Sequence, residues 1–185
     1  KDGKIVLEKY FGNFTQDSSW YWASAGKSLT AFLIGQAQQQ GLLNIEDRAS
    51  KYLGEGWTSC TPEQEEKILI RHMLTMTTGI DDDVPDQFCD EPQCLKYKAE
   101  PGTRWAYHTG VYGLLVDVIE AVTGKNINQF INQFTANPIG MKGIWASTGS
   151  GELYFTNARS MARFGLLTLN YGVWDGNDLL NDPNY

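Results

Sequence analysis

Long apolar runs, cationic excess and histidine are what this sequence has least of, and each shortage closes off a class of function. No apolar run approaches the roughly 20 residues that a bilayer-spanning helix requires, so no membrane span is expected. No charged-then-apolar leader opens the chain, and in an exported protein such a signal would already have been removed. Lys and Arg number 15 against 22 Asp and Glu, a net charge of −7. The cations are scattered, which leaves no footprint for phosphate backbones or anionic lipid, and no nucleic-acid partner is expected.

The two histidines offer little to a Ser-His-Asp triad. His72, inside Ile70-Arg71-His72-Met73-Leu74, reads as a core or capping group, while His108, beside Tyr107, is a candidate for a cleft wall. The GxSxG nucleophile elbow is also absent, because Trp22 occupies its first glycine position before Ser24. Of three cysteines, Cys89 and Cys94 bracket the short polar loop Asp90-Glu91-Pro92-Gln93 and suit a local disulfide. Such a short loop stabilises by only about 2 kcal/mol and serves better as a marker of an oxidising compartment. CxxxxC without a nearby histidine makes a poor zinc site, and Cys60 is left unpaired. The run Asp81-Asp82-Asp83 has no matching ligand spacing after it and reads as a solvated loop.

What is present is a chain that is 42% hydrophobic over 185 residues, enough for one core or two small lobes sharing an interface. Asp2-Gly3 reads as a hairpin turn entering a strand, Lys4 to Tyr10, whose partner would precede Lys1. Leu29, Phe32 and Leu33 then recur at helical spacing, predicting a helix that begins at or beside Ser24 and closes at Gly41. Val111, Leu114, Leu115, Val118, Ile119 and Val122 mark a second helix stopped by Gly124. A third follows from Ile127, Phe130, Ile131 and Phe134, and a fourth from Met161, Phe164 and Leu167, ending before Tyr171-Gly172. Shorter helices are expected near 45–53, with Asn44 as N-cap, and near 68–76.

Ser24-Ala25-Gly26-Lys27 places a hydroxyl and an ammonium on one helix face, about one turn apart, where a nucleophile and its base could meet. Unpaired N–H groups of a first helical turn would favour an oxyanion beside Ser24, with the Ser24 N–H as a natural donor. SxxK alone is a weak signal, since an N-cap serine followed by a surface lysine is common. Tyr107 is the second candidate, because a nearby ammonium lowers a phenol's pKa and makes it a base. Trp20, Tyr21 and Trp22, just ahead of Ser24, either wall a pocket or anchor the start of the helix.

Taken in order, these motifs resemble the class C β-lactamase-like family, which groups β-lactamases, D-alanyl-D-alanine carboxypeptidases and related esterases. Trp22 through Thr30 resembles its nucleophile helix, and Leu43 to Asp47 with Lys51 to Leu53 the segment that follows. Ile70-Arg71-His72-Met73-Leu74-Thr75-Met76-Thr77-Thr78-Gly79 is similar to a family signature. Pro101-Gly102 through Tyr107 and Tyr112-Gly113-Leu114-Leu115 look like the Tyr-x-Asn motif and its helix, and Gly151 to Phe164 looks like the returning helix. Two departures stand out: Thr109 replaces the usual Asn, and the third motif, a Lys-Thr-Gly or His-x-Gly type triplet, is expected beyond Tyr185 with further strands.

The resemblance implies an α+β fold of β-lactamase/transpeptidase type, with an antiparallel sheet lobe and a mainly helical lobe, the sheet incomplete in this chain. Residues 1–40 would be the N-terminal part of the α/β lobe with the nucleophile helix, 41–157 the mainly helical lobe, and 158–185 a helix returning toward the α/β lobe. It further implies a serine hydrolase with Ser24, Lys27 and Tyr107 catalytic and Thr109, His108 and Trp22 contacting substrate, without metal or organic cofactor. The substrate would be a small ester, amide or β-lactam, and Thr109 favours an esterase or peptidase-like enzyme over a dedicated β-lactamase. The competing class is a non-catalytic penicillin-binding-like or sensor protein. A periplasmic or secreted, bacterial-type location is implied, and a C-terminal fragment is a possible partner completing the fold.

Overall fold

The computed structural model describes residues 3–148 and 151–185. Its centre is helix α1, Gly26–Gln39, reached from strand β1, Ser19–Tyr21, through a single 3-10 turn at Ala23–Ala25. Leu29, Phe32, Leu33, Ile34, Gly35, Gln36 and Ala37 are all buried, so apolar contact surrounds α1 on most sides, as a central helix requires. It ends at Gly41, whose φ of 71° suits a residue without Cβ. The Gly41 and Leu42 amides close back on the Gln38 and Ala37 carbonyls at 2.7 and 3.0 Å, a Schellman closure.

Short helices α2, Ser50–Leu53, α3, Pro62–Glu65, and α4, Ile70–Leu74, follow. Next come α5, Thr109–Gly113, and α6, Leu115–Thr123. Gly124 stops α6 in the left-handed region, φ 62°, at the residue the periodicity named. Helix α7, Ile127–Ile131, widens into a π turn at Asn132–Ala136 before α8, Asn137–Ile139. Strands β2, Gly143–Thr148, and β3, Gly151–Asn157, precede α9, Ala158–Leu169, and the β4–β5 hairpin, Val173–Trp174 with Asn177–Asp178. The described residues thus form the antiparallel sheet and helices of a β-lactamase/transpeptidase-like fold, with a partial sheet.

That sheet has the order β1-β3-β2, all antiparallel, with Tyr21 opposite Phe155 and Trp145 opposite Tyr154. An aromatic cluster fastens it to the helices. Trp22 meets Tyr154 and Phe164 at ring-centroid distances of 5.5 and 5.6 Å, and Phe32 meets Phe164 at 5.6 Å. Rings tilted or edge-on at this spacing add to the stabilisation from burial alone.

Three expectations need correction. Residues 4–10 form no strand; Ile5, Val6 and Leu7 are exposed. A strand-forming composition makes a strand only where a ladder partner is at hand, and the segment is held instead by Glu8, whose carboxylate accepts two hydrogen bonds from Arg159, both 2.7 Å. Residues 143–148 and 151–157, within the stretch expected to be mainly helical, are strands β2 and β3, which pair with each other while β3 pairs with β1. Asn44 caps a turn and no helix: its Oδ1 accepts from the Glu46 amide at 2.9 Å, and helix begins only at Ser50.

One buried polar group ties the centre to the chain's later part. The Gln36 carboxamide, 3% exposed, donates to the carbonyls of Phe134 and Leu179 at 2.9 and 3.0 Å and accepts from the Thr135 hydroxyl at 2.6 Å. Replacing it with leucine leaves a buried hydroxyl and two carbonyls without these partners, each costing ~1–3 kcal/mol where water cannot reach. The Gln36→Leu variant is expected to lose about 2–4 kcal/mol of unfolding free energy in urea denaturation.

Candidate active site

Ser24 sits in the 3-10 turn between β1 and α1, and Lys27 in the first turn of α1. The turn is sharp because Ala23 takes a φ of 45°, in the left-handed region that L residues seldom adopt. The strained residue lies between Trp22, whose amide is bonded to the Tyr154 carbonyl at 2.8 Å, and the exposed Ser24. Strain of this kind persists where the surrounding structure over-determines it. The Ser24 N–H stands among those that a helix start leaves without intrahelical acceptors.

Tyr107 arrives from the far side of the chain, just before α5, and its hydroxyl donates to Ser24 Oγ at 2.8 Å. The Lys27 ammonium stands 5.0 Å from the Tyr107 ring centroid. Burial pushes the Tyr107 phenol up, but the hydrogen bond with Ser24 and the Lys27 ammonium outweigh it and hold the phenol below its ordinary value. Three groups separated by up to 83 positions in sequence therefore meet around one hydroxyl.

Tyr112, which sequence reasoning did not single out as a site residue, completes this cluster. Its hydroxyl donates to the Lys27 carbonyl at 2.8 Å and its ring lies 5.7 Å from the Lys27 ammonium. Burial, with a smaller contribution from Tyr107, pushes its phenol up to about 12. It stays neutral and acts as a fixed donor that steadies the first turn of α1. Its place five residues after Tyr107, at the start of a strongly apolar helix, was the available signal.

The three residues surround a cleft of about 890 Å³. Thr109, at the first position of α5, is among the residues that line it. Trp22 and His108 are not. Trp22 is 6% exposed and lies in the aromatic cluster beneath the sheet, so of the two roles open to it, anchoring the start of the helix is the one it has; its neighbour Tyr21 is the cleft wall. His108, 3% exposed, is the N-cap of α5, its Nδ1 accepting from the Val111 amide at 3.3 Å. Burial lowers its pKa, with Asp82 and Asp81 acting in the opposite direction. His72 caps α4 from the other direction: as its third residue it reaches back, Nδ1 accepting from the amide of the N-cap Leu69 at 3.2 Å.

The Cys89–Cys94 disulfide closes a loop that contributes Asp90 to the cleft, and the segment leading into it contributes Gln87 and Phe88. Cys60 is free. Two carboxylates of the Asp81-Asp82-Asp83 run are paired and not simply solvated: Arg104 meets Asp82 at 2.7 Å, and Lys98 bridges Asp81 and Asp82. No group of three or more His, Cys, Asp or Glu among the described residues could hold a metal ion, and none of their helices is long and apolar enough to cross a membrane.

Across residues 1–184 the sequence matches the family model described as beta-lactamase. The chain belongs to the beta-lactamase family. This family is generally one of serine hydrolases. Among its relatives is a Bacillus subtilis protein provisionally named penicillin-binding protein PbpX, 29% identical over 156 residues that cover 76% of this chain and 38% of the relative. A solved Bacteroides dorei structure, provisionally described as a beta-lactamase, superposes with a TM-score of 0.82 at 24% identity, covering 100% of this chain and 60% of that one. A Bacillus anthracis structure, provisionally named 6-aminohexanoate-dimer hydrolase, gives 0.83 at 21% identity, with coverages of 97% and 55%. The chain spans less than two thirds of the length of each of these three, and the two structural likenesses show the fold alone.

The segment at the disulfide meets α5 at Gly110. A Cβ at this position would fall 2.1 Å from the Cys89 carbonyl oxygen, while the Gly110 amide donates to the Gln87 carbonyl at 2.9 Å. Backbone on backbone leaves no flexible side chain to yield, so Gly110→Ala is expected to destabilise by ~2 kcal/mol or more. A fall in thermal midpoint with faster reduction of Cys89–Cys94 by dithiothreitol would register it.

Proposed function

We propose that this member of the beta-lactamase family is a serine hydrolase in which Ser24 is the nucleophile and Tyr107 and Lys27 move its proton. The supporting observation is the 2.8 Å contact between the Tyr107 hydroxyl and Ser24 Oγ beside the Lys27 ammonium. As a neutral phenol, Tyr107 donates in this contact. As a phenolate it accepts, and the same line carries the Ser24 proton away.

In acylation, Ser24 Oγ bonds to an ester or amide carbonyl carbon while its proton passes to the phenolate. The carbonyl oxygen becomes an oxyanion near the Ser24 N–H, where the positive end of the helix start favours it. Collapse breaks the bond to the alcohol or amine, which leaves with the proton held by Tyr107. Water then attacks the acyl-enzyme, giving its proton to the phenolate, and the acid departs as Ser24 is restored. Tyr107→Phe would remove that proton carrier.

The charge of the cleft favours one group of substrates. Asp90, Asp117 and Glu152 line it, and Lys27 is the one cation among its described lining residues. Burial raises the Asp117 pKa, and neighbouring Asp90, Glu120 and Glu152 raise it further. A substrate carboxylate, which β-lactams carry, would meet repulsion there. Neutral or cationic esters and amides fit better, and an esterase or peptidase-like activity is the reading we favour. The disulfide is in keeping with a periplasmic or secreted location.

The test is intact-mass spectrometry of the full-length natural protein with a fluorophosphonate, alongside Ser24→Ala. One stoichiometric adduct mapped to Ser24 and missing from the variant is the expected result; no adduct on the unaltered protein would favour a non-catalytic binding or sensor protein. A pH series adds the proton carrier. Tyr107 must be deprotonated to act as base, so acylation falls as pH drops through its pKa. Beside the Ser24 hydrogen bond, the Lys27 ammonium holds that pKa down, and removing its charge takes that part away. In Lys27→Gln the rising limb of probe labelling against pH is expected to move upward by about one unit or more.

A further inference from the structure

From the same cleft we infer that Phe88 is the specificity-determining wall against which the apolar part of the substrate packs, held ready by the disulfide loop. The inference deepens the serine-hydrolase reading by naming the substrate class: esters or amides bearing an aryl group or an extended alkyl chain.

Phe88 is 52% exposed although it lies in the wall of a cleft that also contains Ser24. A large exposed apolar ring is ordinary on a mobile loop, but this loop is fixed from several directions. Cys89, the next residue, is bonded to Cys94. The Phe88 amide donates to Asp86 Oδ1 at 2.9 Å and the neighbouring Gln87 carbonyl accepts from Gly110. Gln87 Nε2 donates to the Asp82 carbonyl at 3.2 Å, and Asp82 is itself held by Arg104. The missing Cβ of Gly110 lets the Cys89 carbonyl come within reach of α5. Two residues before Thr109 on that same stretch stands Tyr107, so the wall and the proton carrier share one support.

On the sheet side of the cleft, Tyr21 and Phe155 present a second aromatic surface, their centroids 6.3 Å apart. An apolar group entering between the two walls would remove Phe88 from water with no loop to order first, and such pre-organisation is what converts apolar contact into affinity. The carboxylates of the cleft lie on the lining as well, and a neutral amide or ester with an apolar tail avoids their repulsion. A long aliphatic or arylalkyl acyl group satisfies both conditions.

Binding can be separated from chemistry in a Ser24→Ala background, where no acyl-enzyme forms. Titration of 4-phenylbutyramide, followed by calorimetry or by NMR, is expected to give a dissociation constant about tenfold or more higher in Phe88→Ala, with Phe88→Leu between the two. Circular dichroism on each variant checks that the exposed position has left the fold intact. In the Ser24 form, the preference for p-nitrophenyl octanoate over the acetate, read as the ratio of kcat/KM, is expected to fall by a similar factor. Equal affinity in Phe88→Ala, or no binding of the amide to the parent, overturns the proposal. Phe88-dependent binding without any ester turnover would instead leave the wall in place and remove the serine-hydrolase reading.

Discussion

The burial of α1 is the constraint on which the cleft depends. Ser24 lies immediately before this helix and Lys27 within its first turn, and from Leu29 onward nearly every face of the helix is packed. Helical geometry sets the distance between the two side chains, and the surrounding core sets where both of them stand relative to the rest of the molecule. Tyr107 and Tyr112 are the only parts of the cluster that must travel. Both are delivered by the segment entering α5, and Tyr112 bonds directly to the α1 backbone. The geometry of the cluster is therefore a property of one helix and of the contacts made onto its start.

That design separates rigidity from reactivity. The core beneath the cleft is aromatic, with Trp22, Tyr154, Phe164 and Phe32 locked by their mutual orientations, while Ser24 and Tyr107 remain exposed at its edge. The Lys27 ammonium is placed over two phenol rings. The Tyr107 phenol has its pKa lowered by the Ser24 hydrogen bond and the Lys27 ammonium, which outweigh burial, whereas burial raises that of Tyr112. Similar side chains thereby stand in different contacts, one at the Ser24 hydroxyl and the other holding the Lys27 carbonyl.

The helical periods of the sequence were the most legible feature. Gly41 and Gly124 stop α1 and α6 where the apolar repeats run out, because a left-handed residue without Cβ is a local requirement that sequence records directly. The spacing of Ser24 and Lys27 was legible for the same reason. Sheet residues were not: β2 and β3 become strands through pairing with each other and with β1, a relation no local pattern encodes. Residues 4–10 show the opposite error, strand-forming composition without a partner. At the site, Trp22 and His108 have the chemistry of cleft residues, and only burial reveals that one is core and the other a helix cap. Phe88 and Asp117 gave no signal, since a cleft wall is assembled from segments far apart in the chain.

The π turn at Asn132–Ala136 has a bearing on how this family member can change over evolutionary time. An ordinary α-helical turn would be the more stable local conformation, yet the wide turn is what presents the Phe134 carbonyl and the Thr135 hydroxyl to Gln36. Deleting one residue from the segment would restore regular helix and rotate both groups away from the buried carboxamide. Loop length there is consequently fixed by a polar group on a helix some hundred residues earlier. Insertions and deletions should therefore accumulate elsewhere, in stretches such as 83–86 where the side chains largely face water, and the chain's tolerance to length change is set by the reach of one glutamine.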